Sequence, residues 1–333
     1  MTDTAALVTA GGHVPVHTDT DTIMSEATRR RIVDGIAANT VKAYTRQWTA
    51  FTDWCAGQGR TPLPATAETL AEYVGHLADA GRGPSTVQQA MAAVSVRHDA
   101  AELPKPNTKG ALLVLRSLRR ERADAGQRTK QAPPLTVEML RKLIDATDTD
   151  SPTGKRDRLL LVLGLVMMSR RSELSALWIE DVTETENGLE VLVRRSKTDQ
   201  DAMGEVVPVP RGSHPHSDPV RLLRAWLAVL AKKEITTGPL LRSIDRHGKI
   251  GTGQLTTDSI SRIVQRLAVR AGLPDAQRYT AHSLRAGGAT AAYKAGAPVS
   301  AIKKQGRWKS DVVNEYIRVT DRWRDHPMTD IGL

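Results

Sequence analysis

The stretch "AGQRTKQAPP" at residues 125–134 constrains this chain more than any other, because it separates two kinds of hydrophobic patterning. It is polar and ends in a proline pair, the usual composition of an interdomain linker. Before it, the periodic segments are helical. In "TVKAYTRQWTAFTDWCAG", Val41, Tyr44, Trp48, Phe51 and Cys55 recur at three- and four-residue steps, with Thr40 as a candidate N-cap and Gly57 near the end. Similar stripes run through "TAETLAEYVGHLADAG" (Leu70, Tyr73, Val74, Leu77), "STVQQAMAAVSVRHDAAEL" (Val87, Met91, Val94) and "TKGALLVLRSLRRERAD". Four or five helices there predict an all-α domain over residues 29–124.

After the linker, taken as residues 125–135, the pattern is mixed. "TVEMLRKLIDATD" and "RDRLLLVLGLVMMSRRSELSALW" read as helices, the latter as one continuous element. "GLEVLVRRSK" and "GEVVPVP" are short β-rich runs around the turn-like "TDQDAM". The expected fold class is therefore mainly α, with a helical domain followed by an α+β domain at 136–320 that carries a small antiparallel sheet. Residues 1–28 lack sustained periodicity and predict a mobile arm. The tail, 321–333, contains Trp323, Met328, Ile331 and Leu333, apolar residues that suggest docking on its own domain or on a neighbouring copy. A length of 333 residues is enough for two cores.

Lysine and arginine number 47 against 37 acidic residues, a formal charge of +10, with arginines clustered in "RSLRRER" at 116–122. A polyanionic partner fits this balance, and Arg116, Arg119, Arg120 and Arg122 are the candidate phosphate-backbone contacts. On charge alone, solvated basic faces fit equally well. Cys55 is the only cysteine, so no internal disulfide can form and no cysteine-based metal site can be assembled, which suits a reducing compartment. "LLLVLGLVMM" at 159–168 is too short for a membrane span, and the N-terminus lacks the basic start and apolar core of a secretory signal. A cytoplasmic location is expected.

Four clusters carry candidate chemistry. Arg170 and Glu173 in "SRRSELSAL" stand three apart, a spacing that also suits an ordinary surface ion pair. Lys197 sits at the tip of the expected hairpin, where lysines are normally solvated. In "TAHSLRAGGATAA", His282 and Arg285 open a helix whose Gly287 and Gly288 would be costly unless something packs closely against them. Trp308 and Tyr316 lie in "QGRWKSDVVNEYIR", and aromatics at such spacing are usually core.

Taken in order, the arginine–glutamate pair, hairpin lysine, "HSLR", "GRW" and late tyrosine resemble the tyrosine recombinase, or phage integrase, family over roughly residues 30–320. The resemblance is to its compact, Cre-like two-domain members. It implies a SAM-like helical core-binding domain and a catalytic domain that together act on double-stranded DNA at a specific recombination site, as a homotetramer. It implies that Tyr316 attacks the scissile phosphate to give a 3′-phosphotyrosine link and a free 5′-hydroxyl. Arg170 and Arg285 would grip the non-bridging oxygens, Lys197 would protonate the leaving 5′-oxygen, and His282 would assist proton transfer with the tyrosine. Trp308 would stand where a second histidine is common, donating its indole N–H or packing beneath the phosphate, and Glu173 would orient its neighbours. Neither a metal nor a nucleotide cofactor is expected, since positioned cations can stabilise phosphoryl transfer. Two departures stand out: Trp308 and Tyr316 are eight residues apart, one fewer than the common interval, and Tyr279 is a rival nucleophile near His282. A type IB topoisomerase with the same chemistry and an idle DNA-binding protein are the rival functions.

Overall fold

The computed structural model describes residues 18, 20, 23–36, 38–127, 131–194 and 204–317. The chain divides into two compact units, Met1–Thr129 and Lys130–Leu333. Most of the expected N-terminal arm, the hairpin tip with Lys197 and the tail at 321–333 lie outside the described residues.

The first unit contains α1 (Glu26–Asp34), α2 (Ala38–Gly57), α3 (Ala67–Asp79), α4 (Pro84–Ala100) and α5 (Lys109–Asp124). Most positions of the stripes read from the sequence form its core, whereas Val41, Tyr44 and Trp48 of α2 are half-buried. Phe51, Cys55, Leu70, Tyr73, Val74, Leu77, Val87, Met91 and Val94 are all buried, together with Ala111, Leu115 and Leu118 of α5. Two boundaries differ from expectation. α1 begins inside the segment assigned to the arm, because the Ser25 hydroxyl accepts the Thr28 N–H at 3.1 Å and Glu26 pairs with Arg30 one turn on. α2 starts at Ala38, so Thr40 lies inside it rather than capping it, a shift of the size that helix ends commonly show.

The second unit begins with α6 (Val137–Asp145), α7 (Pro152–Val166) and the short α8 (Arg171–Ser175). The single helix expected over this stretch is broken. Met168 adopts a left-handed conformation, φ 48°, and the chain restarts as α8 with Arg170 as its N-cap residue. The apolar run is nonetheless the centre of the unit: Leu159 to Leu163 and Leu165 are all buried, and α7 packs against α9 (Pro219–Ala231) and α11 (Ala281–Lys294).

Between α8 and α9 lies a three-stranded antiparallel sheet, β1 (Val182–Thr185), β2 (Gly188–Val193) and β3 (Glu205–Pro210), in that order. β2 and β3 are the expected hairpin. Their register sets Leu189 opposite Val209 and Val191 opposite Val207, with all four side chains buried on one face. β1 and a second antiparallel pair, β4 (Arg242–Ile244) with β5 (Ile250–Gln254), were not expected, because "VTET" and "IGTGQ" are short and polar. The second pair is held by Arg242, which donates to the Thr237 carbonyl at 2.7 Å and the Thr252 carbonyl at 2.9 Å.

α10 (Thr257–Arg270), α11, α12 (Val299–Gly306) and α13 (Val313–Tyr316) complete the described part of the unit. Gly287 and Gly288 explain how tightly α11 sits. A β-carbon at Gly287 would fall 2.0 Å from the Leu135 carbonyl oxygen, and one at Gly288 would fall 2.2 Å from that of Leu165. The close packing expected from these glycines is backbone packing within the protein.

Candidate active site

The break after α7 makes Arg170 a helix-start residue, and Glu173 is the third residue of the helix it starts. The carboxylate does two jobs there. Its Oε2 accepts the Arg170 backbone N–H at 2.9 Å, and its Oε1 meets Arg170 Nη1 at 2.7 Å. With side-chain exposures of 20 % for Arg170 and 1 % for Glu173, this is not the surface ion pair that the spacing alone suggests. Burial by itself would raise the Glu173 pKa, but the charge of Arg307, the Arg170 N–H and the two guanidinium hydrogen bonds outweigh it and hold the carboxyl below its ordinary value. Arg171, the adjacent arginine, turns outward to an exposed pair with Asp258 at 3.1 Å.

α11 supplies the next two residues. Its start is closed reciprocally: the Thr280 hydroxyl accepts the His282 N–H at 3.2 Å, and the Ser283 hydroxyl accepts the Thr280 N–H at 3.1 Å. In the otherwise buried first turn His282 is exposed, whereas Arg285, next along the helix, is 1 % exposed. Arg285 donates to the carbonyls of Met168 and, at 2.8 Å, Gly306. Its Nε is buried with no partner among the described residues. Burial first, and the neighbouring Arg170 charge second, push its pKa down to about 10, which leaves it charged at neutral pH.

Trp308 is buried with its ring against Gly306, where a β-carbon would collide with the indole at 1.8 Å. The indole forms a platform for Arg285, whose guanidinium carbon is 3.9 Å from the ring centre.

Tyr316 closes α13, and its ring centre is 5.0 Å from that of His282 and 5.0 Å from that of Trp308. Arg285 lies 5.4 Å from the same ring, and the Thr290 hydroxyl of α11 donates to the Tyr316 carbonyl at 3.2 Å. The half-buried Tyr316 thus sits beside Arg285 and His282 despite the short interval from Trp308. Tyr279 does not. It is 4 % exposed in the apolar core, its hydroxyl donates to Met139 Sδ at 3.5 Å, and burial raises its pKa, the opposite of what an activated nucleophile needs.

Two residues that the sequence did not single out join this site. Arg307 ends α12 in the left-handed conformation, φ 57°, and turns inward to meet Glu173 Oε2 at 2.6 Å. Gln305 donates from its amide nitrogen to the Val166 carbonyl of α7 and the Pro208 carbonyl of β3, each at 3.0 Å. A non-glycine residue at that helix end was the only available signal for Arg307, because its acidic partner lies 134 residues away. Elsewhere, Arg116, Arg119 and Arg120 are exposed on α5 and Arg122 is half-buried. Among the described residues no group of His, Cys, Asp and Glu could hold a metal ion, and no helix is long and apolar enough to cross a membrane.

Residues 134–322 match the model of the phage integrase family. An integrase/recombinase XerD homolog of Selenomonas ruminantium is 34% identical over 309 residues, which span 92% of this chain and 89% of the relative. Recombinase Cre of Escherichia phage P1 is 27% identical over 291 residues, 83% of this chain and 82% of that protein. Among solved structures, a segment of the Tn1549 transposon integrase in complex with circular-intermediate DNA superposes with a TM-score of 0.57 at 16% identity, covering 89% of this chain and 94% of the other.

Proposed function

Because the chain belongs to the phage integrase family, we propose that it cuts and rejoins double-stranded DNA at a specific site, with Tyr316 as the nucleophile. The observation that carries this reading is convergence. The start of α11, the turn at Trp308 and the end of α13 are separate in sequence, yet Arg285, His282 and Trp308 meet around one tyrosine, and the more distant Arg170 is near enough for its charge to act on Arg285. A phenol of ordinary pKa about 10 is a weak nucleophile at neutral pH, so it needs neighbouring positive charge and a proton acceptor. Arg285 and His282 supply these here.

In the forward step the Tyr316 oxygen bonds to phosphorus, and the bond from phosphorus to the 5′-oxygen breaks. The phenolic proton passes to His282, and the Lys197 ammonium protonates the departing 5′-oxygen. Arg170 and Arg285 neutralise the non-bridging oxygens as charge builds in the transition state. Trp308 holds the Arg285 guanidinium from one face, and Glu173 holds that of Arg170. One phosphodiester is exchanged for another, so rejoining is the same step run backwards and needs no nucleotide. Arg116, Arg119, Arg120 and Arg122 bind phosphate backbone within a helical domain spanning 29–124, and the catalytic domain spans 136–320. The working assembly is a homotetramer on two sites, with the 321–333 tail contributing to protomer contacts, and it acts on DNA in the cytoplasm.

The test is covalent trapping. Nicked suicide duplexes, in which the cut end diffuses away, are incubated with the protein and the attachment site is mapped by peptide analysis. The adduct maps to Tyr316 and is lost in Tyr316→Phe while DNA binding survives; an adduct on Tyr279 overturns the assignment.

A further inference from the structure

We propose that Arg307 is a positioning residue of the cleavage step: acting through Glu173, it fixes the Arg170 guanidinium that receives the scissile phosphate. The inference rests on the proposed role of Arg170 and adds a residue to it.

The backbone supplies the first argument. Arg307 is the C-cap residue of α12 at φ 57° and ψ 47°, a conformation that glycine adopts without steric conflict and that an L side chain adopts at a cost. The side chain at that position must therefore do something that glycine cannot. It is 2 % exposed and covered by protein. Its Nη2 reaches Glu173 Oε2 at 2.6 Å and the Met167 carbonyl at 3.2 Å, and its Nη1 donates to the Gln305 carbonyl at 2.9 Å. Met167 and Glu173 flank Arg170 in sequence, so Arg307 grips the Arg170 turn from both ends.

The second argument is how the carboxylate is shared. Glu173 Oε1 is occupied by Arg170, whereas Oε2 receives both the Arg170 N–H and Arg307. Without Arg307 a buried carboxylate would lose one of its two guanidinium partners and could rotate toward the other. Arg170, the 20 % exposed member of the trio, is the side chain whose aim depends on that carboxylate. Fixing the Arg307 backbone also fixes the start of the next residue, Trp308, which stacks on Arg285.

The test uses full-length Arg307→Gly, in which glycine suits the backbone and only the guanidinium is lost. Single-turnover adduct formation is measured on a nicked duplex selected with the wild-type protein. The scissile linkage is either the native phosphate or one of the two methylphosphonate diastereomers, in which a methyl group replaces a charged oxygen and removes the need for the arginine at that position. Arg307→Gly slows cleavage of the phosphate by roughly 10²-fold, the typical cost of misplacing a catalytic group. On one methylphosphonate diastereomer the deficit largely disappears, and the same diastereomer relieves Arg170→Ala. Should the glycine variant not fold, Arg307→Lys, which keeps the charge but loses the fork, is read in the same way and shows a smaller deficit of the same pattern. An equal loss on all three substrates, with Arg170→Ala still relieved by one of them, overturns the positioning role and leaves Arg307 a packing residue. If Arg170→Ala itself cleaves the phosphate normally, the assignment of Arg170 fails and this inference fails with it.

Discussion

Replacing Gly287 with alanine sets two opposed effects against each other in the helix that carries His282 and Arg285. Helix propensity favours alanine over glycine by about 1 kcal/mol at an interior position. Packing opposes it. The added carbon would lie 2.0 Å from the Leu135 carbonyl oxygen and 2.8 Å from its carbon. An unstrained carbon–oxygen contact is about 3.3 Å or more, so the two backbones must separate by roughly 1 Å. Leu135 cannot retreat freely, since it is fully buried and its N–H donates to the Ser283 carbonyl of α11 at 2.9 Å. Overpacking of this kind costs about 1–3 kcal/mol, and loss of that hydrogen bond about 1 kcal/mol more. The net expectation is destabilisation by about 1–3 kcal/mol, read from urea unfolding of the second unit. Because α11 shifts with His282 and Arg285, the proposed catalytic side chains, adduct formation falls by roughly 10²-fold even where the variant remains folded. The matched control is Gly75→Ala in α3, where no atom lies within 4 Å of the added carbon, and which stabilises the first unit by up to about 1 kcal/mol. If Gly287→Ala proves as stable as the parent protein, the close-approach argument is refuted.

Lys197→Ala abolishes cleavage of ordinary DNA but is rescued by a 5′-bridging phosphorothiolate, whose thiolate leaves without a proton; absence of rescue in adduct assays removes lysine from the general-acid role. Glu173→Gln costs about 3 kcal/mol at neutral pH, as expected for breaking a buried ion pair. Since the native carboxyl is held below its ordinary value, its stabilisation is full above the unfolded glutamate pKa and is lost as pH falls through the native one, so urea midpoints of the two proteins differ constantly from pH 6 to 8 and converge in acid. Arg119→Ala combined with Arg120→Ala lowers the slope of log binding constant against log salt by about 0.9 for each phosphate no longer neutralised, while Tyr316-linked cleavage at saturating DNA is unchanged. An unaltered slope means that these exposed side chains do not touch the backbone.

The elements most legible in the sequence were those whose partners are near neighbours in the chain. The stripe Leu70, Tyr73, Val74 and Leu77 is buried as its period implies, and the alternation in "GLEVLV" gives β2 its inward face. Arg170 with Glu173, His282 with Arg285, and Trp308 with Tyr316 were visible as local pairs. What was missed depends on long-range contact. Nothing local marks Met168 as the left-handed residue that splits the apolar run, because its conformation is enforced by packing: its carbonyl accepts from Arg285. β1 carries no apolar alternation and forms because β2 offers it an edge. Arg307 follows a glycine at a helix end, a setting that reads as a solvated cap, and only the folded chain brings Glu173 to it.

The double use of Glu173 has a consequence for how such a site can change over generations. The same two oxygens close the start of α8 and hold the Arg170 guanidinium. A chain selected for nothing except its ability to fold would therefore be driven to keep that carboxylate, and with it half of the apparatus that aims Arg170. With Tyr316 as the proposed nucleophile, Tyr316→Phe ends activity in one step by removing only a hydroxyl and leaves the ring packing in place, whereas loss through Glu173 breaks a buried ion pair. A descendant that has stopped cutting DNA should thus retain a well-built phosphate clamp long after its nucleophile has gone, ready for reuse as a binding site.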